Sequence, residues 1–309
     1  MSRNKPIGGV ISAALLPRGS QGRVLWDNFA DSLLFLKKQG VAGICVNGAT
    51  GEYAGATAEE RRFTVHVARQ VMGSEGLVVS GAGACALHDA ICLAKDAETE
   101  GVDAHLVPAP HFFPYSQDDL GEFYRQFAAA VEKPVLLYNL ASFTTGIDKP
   151  LAAELVRGVE KIAGIKDSSG RVDILEELTV GGPAECVRFV GNDAVFAECL
   201  SKGWCNGSIS GVACVLPELI LGLWEARTDP KGSAFENANR LLDEFIAQLG
   251  AWPVPWGLKL VAECRNLSPL SLPLPLSPAR QAAAQGFRQW FEPWWPQALE
   301  TLQSVRSIA

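Results

Sequence analysis

A chain of 309 residues with 48% hydrophobic residues and a mean hydropathy of +0.12 is long enough and apolar enough to bury a large core. Its net charge of −7 and isoelectric point of about 5.3 exclude nucleic acid as the main partner, because nucleic-acid binding usually requires a basic face. No segment approaches the ~18 unbroken apolar residues that a membrane helix needs, so we expect no membrane association.

The cysteines and histidines are scattered along the chain. Neither type shows the spacing of metal ligands, and no C-x-x-C occurs, so we predict no metal site. In a chain of this length such cysteines are typical of a reducing compartment, which predicts a cytoplasmic protein. The apolar run at 7–16 imitates the core of a signal peptide, but its two glycines and the following Pro17 favour a buried first strand.

Eight short segments of β-type apolar residues recur through the first 225 residues. Their apolar positions are nearly continuous rather than alternating, which is typical of parallel strands buried on both faces. The segments are 8–17, 41–52, 77–84, 102–110, 134–142, 162–169, 186–193 and 207–215.

Segments with helical periodicity lie between these strands. The first has apolar residues at helical spacing from Leu25 and ends at Gly40. Thr57 with Glu60 has the pattern of a capping box, and Pro217 suits the first turn of the eighth helix. Alternation of strands and helices implies a parallel sheet with right-handed crossovers, and eight units favour a (β/α)8 barrel over a doubly wound sheet.

The last part of the chain has a different pattern. Helices are predicted at 235–250, 257–267 and 279–305, with a Pro/Leu-rich turn at 268–278. We therefore predict a barrel that carries the active site at 1–225 and a C-terminal helical region at 226–309.

Lys166 lies at the end of the sixth predicted strand, in IAGIKDSSG. Lysine is almost never fully buried unless it is paired or used, and the C-terminal ends of barrel strands form the active face. In the mouth of the barrel, burial favours the uncharged amine, which is the nucleophile that forms a Schiff base with a ketone. The alternative is a lysine paired with Asp167 or another nearby carboxylate.

Two other strand ends would complete such a site. Tyr138, in LLYN, would move protons beside Lys166, although it could equally be a core tyrosine with a satisfied hydroxyl. In NGATGE, the backbone N–H groups from Gly48 to Thr50 and the Thr50 hydroxyl would suit a carboxylate. A plain strand-to-helix turn would also contain two glycines.

The ordered set GATGE, YN, GIKDSSG, GND and GSISG resembles the dihydrodipicolinate synthase/N-acetylneuraminate lyase family of class I, pyruvate-handling aldolases. The resemblance extends over the whole chain and implies a TIM barrel with a C-terminal helical extension, no cofactor, and a homotetramer built from tight dimers. It makes Lys166 the amine that captures the 2-oxo acid and Tyr138 the acid/base, with Thr50 as a third catalytic residue. The resemblance also implies that the main-chain N–H groups of Gly48, Ala49 and Thr50, together with the Thr50 hydroxyl, hold the substrate carboxylate, and that the Ile209 carbonyl lines the site.

Four positions depart from the family pattern. Ala49 replaces the usual Ser or Thr, and Ala194 stands where the sialic-acid branch has a glutamate. Phe143 occupies the position of an arginine in the members that make dihydrodipicolinate. Phe112 aligns with their tyrosine that reaches across a subunit interface. The KDSSG turn is closer to branches that act on 2-keto-3-deoxy sugar acids or 4-hydroxy-2-oxo acids.

We therefore expect a Schiff-base-forming lyase or aldolase whose partner is a small 2-oxo acid, pyruvate or a longer one. Ser168 and Asp193 are candidates for contacts to substrate hydroxyls, and Phe112 and Phe143 for the wall that selects the second substrate. The alternatives are the synthesis of 4-hydroxy-tetrahydrodipicolinate from pyruvate and aspartate semialdehyde, and a non-catalytic barrel that binds a 2-oxo acid. A phosphate-binding isomerase is disfavoured, because this chain lacks the glycine-rich phosphate loop that such an enzyme requires.

Overall fold

The computed structural model describes residues 6–250 and 252–306 and contains a closed barrel of eight parallel strands. Each strand pairs with its neighbours in the sequence, and the last pairs with the first. The strands are β1 (Gly9–Ala13), β2 (Gly43–Val46), β3 (Leu77–Gly81), β4 (Ala104–Pro108), β5 (Val135–Asn139), β6 (Ile162–Asp167), β7 (Val187–Val190) and β8 (Gly207–Ser210). Every strand lies within one of the eight predicted segments, so the predicted TIM barrel is confirmed.

A helix follows each strand and packs on the outside of the barrel. These helices are α1 (Trp26–Gln39), α2 (Ala58–Met72), α3 (Leu87–Thr99), α4 (Gln117–Ala130), α5 (Lys149–Gly158), α6 (Asp173–Gly181), α7 (Phe196–Lys202) and α8 (Pro217–Glu225). The predicted capping box is present, because Thr57 and Glu60 each accept a hydrogen bond from the other's backbone N–H. Gly40 ends α1 in the left-handed conformation that favours glycine.

Two layers of apolar side chains explain the nearly continuous apolar strands. One layer fills the inside of the barrel and includes Ile11, Leu136 and Phe189, which are fully buried. The other lies between the strands and the surrounding helices and includes Val78 and Leu137. Because the interior is packed with side chains, the barrel is not a pore, and a site can form only at its ends.

Three further helices form the C-terminal region: α9 (Ser233–Leu249), α10 (Trp256–Cys264) and α11 (Pro278–Arg306). They confirm the three predicted helices. The tryptophans Trp290, Trp294 and Trp295 of α11 pack against the outer apolar layer. The division into regions at residue 225 stays a prediction, and residues 1–5, 251 and 307–309 of those ranges lie outside the described residues. None of the described helices is long and apolar enough to cross a membrane.

Candidate active site

Lys166 and Tyr138 face each other at the C-terminal end of the barrel. They are directly paired in register on β6 and β5, so their side chains project to the same face of the sheet. Lys166 is only 4% exposed, and its Nζ donates a hydrogen bond to the Tyr138 hydroxyl at 3.2 Å. The same Nζ lies 4.4 Å from the centroid of the tyrosine ring. Strand pairing therefore brings together the two residues that the sequence singled out.

The Asp167 carboxylate forms hydrogen bonds on the face of β6 opposite to Lys166. Its Oδ1 accepts hydrogen bonds from the Asn139 side chain at 3.1 Å and from the Ser169 backbone N–H at 2.9 Å. Burial raises the pKa of Asp167, although these hydrogen bonds oppose the shift. Successive residues of a strand point to opposite faces, which separates this carboxylate from Lys166. The Lys166–Asp167 ion pair that the sequence left open is absent from the described part of the chain.

A cavity of about 270 Å³, here called the inner chamber, opens beside Lys166 and Tyr138. Seven predicted site residues line it together: Ala49, Thr50, Tyr138, Phe143, Lys166, Ser168 and Asp193. They come from the ends of β2, β5, β6 and β7, as is usual for the active face of a barrel. The closed barrel therefore assembles one concave site from positions up to 144 residues apart in the chain.

Three predicted site residues lie elsewhere. Gly48 is buried in the turn before Ala49, and the Ile209 side chain is buried inside the barrel. Phe112 is 82% exposed and lies outside the inner chamber, with a φ of 87° in the left-handed region that bulky residues rarely adopt. Roles for the Gly48 N–H group, the Ile209 carbonyl and Phe112 therefore stay predictions.

The turn that carries Ala49 and Thr50 is held in place by Asn47. This residue has a φ of 57°, and its side-chain amide donates hydrogen bonds to the Arg61 carbonyl at 2.9 Å and to Ser80 Oγ at 3.1 Å. Such buried hydrogen bonds fix the backbone before any ligand arrives. The turn is therefore a preorganised element next to Lys166.

Two polar side chains of the inner chamber have unused hydrogen-bonding capacity. Ser168 Oγ and Asp193 Oδ1 are buried and have no partner within the described chain. Asp193 Oδ2 accepts a hydrogen bond from the Val212 N–H at 3.2 Å. Burial raises the pKa of Asp193, while its hydrogen bonds and the nearby Lys166 charge oppose the shift. Because unsatisfied buried polar atoms are costly, both atoms are suited to the hydroxyl groups of a ligand.

Gly191, directly after β7, lines the inner chamber and belongs to the GND motif, but it was not among the predicted site residues. A Cβ at this position would lie 2.0 Å from Ser168 Oγ and 2.6 Å from Lys166 Cε. Both distances are far below van der Waals contact, so the lysine side chain fits only because residue 191 has none. The GND motif was visible in the sequence, but the crowding arises only when β6 and β7 pair.

The C-terminal helical region supplies one wall of the inner chamber. Ile246 and Leu249 of α9 and Leu258 of α10, together with Val254, line it. Sequence analysis missed these residues. The spacing of the apolar residues in α9 predicts an apolar face but does not say what that face covers.

A second buried lysine, Lys259 in α10, differs from Lys166 because it forms an ion pair. Like Lys166 it follows apolar residues in the sequence, and it is 5% exposed. However, its Nζ donates hydrogen bonds to the Glu52 carboxylate and to the Ser271 carbonyl, the latter at 2.9 Å. Lys259 is therefore a structural ion-pair residue. Among residues 6–250 and 252–306, no group of three His, Cys, Asp or Glu side chains is placed to hold a metal ion.

A parallel eight-stranded barrel with a buried lysine at the end of its sixth strand, beside a tyrosine hydroxyl, belongs to the class I, Schiff-base-forming lyases. The sequence profile of the dihydrodipicolinate synthetase family matches residues 6–292. The chain belongs to that family, which confirms the resemblance seen in its motifs.

Similar proteins agree with this assignment. The chain is 32% identical over 246 residues to a 4-hydroxy-tetrahydrodipicolinate synthase from Campylobacter jejuni subsp. doylei, covering 79% of this chain and 80% of the relative. It is 31% identical over 250 residues to an uncharacterized DapA-like lyase from Halobacterium salinarum, covering 80% and 82%. A chloride-inhibited dihydrodipicolinate synthase from Acinetobacter baumannii, solved in complex with pyruvate, superposes with a TM-score of 0.85 at 25% identity, covering 96% and 99%.

Proposed function

We propose that this protein is a class I aldolase that cleaves or forms the C3–C4 bond of a 4-hydroxy-2-oxo acid through a Schiff base on Lys166. The observation that carries the proposal is the contact of 3.2 Å between the buried Lys166 Nζ and the Tyr138 hydroxyl. A buried amine beside a phenol provides both the nucleophile and the proton carrier that imine formation requires.

In the cleavage direction, Lys166 attacks C2 of the substrate, and Tyr138 moves protons while the carbinolamine loses water. The C4 hydroxyl then gives up its proton, the C3–C4 bond breaks, and its electron pair moves into the iminium to leave an enamine. The new C4 carbonyl departs as an aldehyde. Protonation of the enamine at C3 and hydrolysis of the imine release pyruvate and restore the amine, and condensation follows the same steps in reverse.

The surrounding residues have complementary roles in this proposal. The turn from Gly48 to Thr50 holds the substrate carboxylate through backbone N–H groups and the Thr50 hydroxyl. Ser168 Oγ and Asp193 Oδ1, which are buried and have no partner among the described residues, are available to the C4 hydroxyl. The Ile209 carbonyl would lie at the floor of the site.

A second candidate is the synthesis of 4-hydroxy-tetrahydrodipicolinate, the activity that gives the Campylobacter relative its name. Here the second substrate, aspartate semialdehyde, carries a carboxylate. The charged side chains that line the inner chamber are Lys166 and Asp193, and the exposed ring of Phe143 forms part of its wall. A second carboxylate would therefore meet an aromatic ring and an acidic residue, which favours the first candidate.

The test is reduction with borohydride in the presence of pyruvate, followed by peptide mass analysis. We expect a pyruvate adduct on Lys166 and its complete loss in Lys166→Ala. Lys259 provides an internal control, since it is equally buried but ion-paired and should remain unmodified. An unlabelled Lys166, under conditions that label another class I aldolase, would overturn the proposal. Release of pyruvate from 4-hydroxy-2-oxo acids separates an enzyme from a barrel that only binds.

We also propose a cytoplasmic homotetramer. All eight cysteines are free, which is consistent with a reducing compartment. Phe112 and Phe113 expose rings that meet edge to face, with centroids 4.8 Å apart, and exposed aromatic residues of this kind are enriched at subunit contacts. One structural neighbour, with a TM-score of 0.86 at 22% identity, is described as a monomeric dihydrodipicolinate synthase variant. Light scattering of the purified chain would therefore decide its assembly state.

A further inference from the structure

A second and larger cavity adjoins the inner chamber. This outer chamber has a volume of about 730 Å³ and shares Ala49, Leu140, Phe143 and Val254 with the inner one. The four shared residues show that the cavities meet along one wall of the Lys166 site. Ligand pockets usually measure about 300–1,000 Å³, so the outer chamber alone is large enough for a substantial group.

The cationic side chains of the outer chamber are already engaged within the chain. Arg18 donates two hydrogen bonds to the Glu60 carboxylate, at 2.8 and 3.0 Å, and Lys259 is paired with Glu52. Burial and a nearby arginine lower the pKa of His111, which favours its neutral form. A carboxylate or phosphate here would meet cations whose charge is already balanced by Glu60 and Glu52. The charge distribution therefore favours a neutral group.

The remaining walls offer apolar surface and aromatic rings. Leu140 and Phe143 line both chambers, and Leu272 and Pro273 of the Pro/Leu-rich turn also line the outer one. The Tyr53 ring packs edge-on against His111, with ring centroids 5.7 Å apart. Flat apolar groups pack well against such walls.

We propose that the group at C4 of the substrate is aromatic or otherwise bulky and apolar, and that it occupies the outer chamber. This inference rests on the proposed function. The 2-oxo acid portion lies in the inner chamber at Lys166, and the C4 substituent passes Phe143 into the outer one. Cleavage breaks the C3–C4 bond as described above, so the products are pyruvate and an aromatic or apolar aldehyde. Sugar acids with many hydroxyls and aspartate semialdehyde fit this chamber poorly.

Three substrates test the proposal: 4-hydroxy-2-oxo acids with a phenyl, a methyl or a carboxylate group at C4. Pyruvate release is measured with lactate dehydrogenase. We expect kcat/KM for the phenyl compound to exceed the other two by about 10-fold to 100-fold, because its ring is buried. A preference for the carboxylate compound, or equal rates for phenyl and methyl, would overturn the proposal.

A matched pair of variants locates the ring. Leu272 lines the outer chamber, whereas Leu274, two residues further along the same turn, is 63% exposed and does not line it. Leu272→Asp should lower the phenyl-to-methyl ratio of kcat/KM by at least about 10-fold, and Leu274→Asp should leave that ratio unchanged. An unchanged ratio in Leu272→Asp refutes the placement. If pyruvate trapping on Lys166 succeeds while the phenyl compound is not preferred, only this inference fails. If trapping itself fails, the proposed function fails with it.

Discussion

The replacement of Tyr138 by phenylalanine tests the chemical role of a single hydroxyl group. The ring of Tyr138 packs inside the barrel with the apolar inner layer, and phenylalanine keeps that packing. The change removes only the oxygen that lies 3.2 Å from Lys166 Nζ. Tyr138→Phe therefore separates proton transfer from the shape of the site.

The expected magnitude follows from the role of a proton carrier. General acid–base catalysis contributes about 10²-fold to 10⁴-fold, so kcat should fall by that factor, which corresponds to about 2.7–5.5 kcal/mol of activation free energy. Binding of the 2-oxo acid should change by less than about 10-fold, because the proposed function assigns the carboxylate to the turn with Ala49 and Thr50 and not to Tyr138. The free energy of unfolding should fall by only about 0.5–1.5 kcal/mol, the typical value of one hydrogen bond.

The assay combines steady-state kinetics, the rate of borohydride trapping with pyruvate, and urea unfolding. Tyr124→Phe is the matched control, since Tyr124 is also buried and its hydroxyl donates to the Val107 carbonyl at 3.3 Å, outside the inner chamber. The control should show a comparable loss of stability with an unchanged kcat. If Tyr138→Phe lowers kcat no more than Tyr124→Phe does, or lowers kcat and substrate affinity equally, Tyr138 is a structural residue and the proposed mechanism is wrong.

Two further predictions concern β7 and the segment after it. Gly191→Ala should displace the Lys166 side chain, which should slow pyruvate trapping by about 10-fold or more and lower the free energy of unfolding by about 1–3 kcal/mol. Gly286→Ala is the control, because a Cβ there meets no atom within 4 Å, and it should preserve trapping. Equal trapping rates in the two variants would contradict the crowding at Gly191. Burial raises the pKa of the Asp193 carboxyl, so the native state holds the carboxyl proton more strongly than the unfolded chain does. The native state of the wild type therefore loses stability as the pH rises from the ordinary pKa of 3.8 through the raised native pKa. Asp193→Asn removes that loss, so its Tm relative to the wild type should increase as the pH rises above about 4. A Tm difference that does not depend on pH would argue against a raised pKa.

Phe143 is a position at which this chain departs from the dihydrodipicolinate-forming members of the family. Phe143 lines both chambers and is 57% exposed. The arginine that stands at this position in the dihydrodipicolinate-forming members would bring a positive charge to the junction of the chambers. In this chain the residues shared by the two chambers are apolar, and the cations that line the outer chamber, Arg18 and Lys259, are paired with carboxylates. Under the proposed function, this difference would favour a second substrate without a carboxylate.

Much of the fold was predictable because it depends on local and periodic features. Continuous apolar segments that end in turn residues marked all eight strands, and the capping box at Thr57 marked the start of α2. The lysine in IAGIKDSSG was conspicuous because a charged residue interrupts an apolar strand. Strand pairing then placed it opposite Tyr138, as the order of the strands requires.

The sequence could not distinguish between the two buried lysines by pattern alone. Lys166 and Lys259 both follow apolar residues, but only Lys259 meets a carboxylate, on a residue 207 positions away in the chain. Similarly, the sequence could not show where Phe112 lies; the structure leaves it exposed and outside the inner chamber, and its role stays a prediction. These outcomes depend on which distant segments approach each other.

By itself, the sequence determined the strand–helix alternation, the barrel, the family motifs and the position of a candidate lysine at the end of the sixth strand. These features follow from backbone periodicity and from the cost of burying a charged group, both of which act over a few residues. Only the tertiary structure decided the crowding that requires glycine at position 191, the wall formed by α9 and α10, and the outer chamber beside Phe143. Cavities are the space left between packed elements, so their shape depends on contacts between side chains that are remote in sequence.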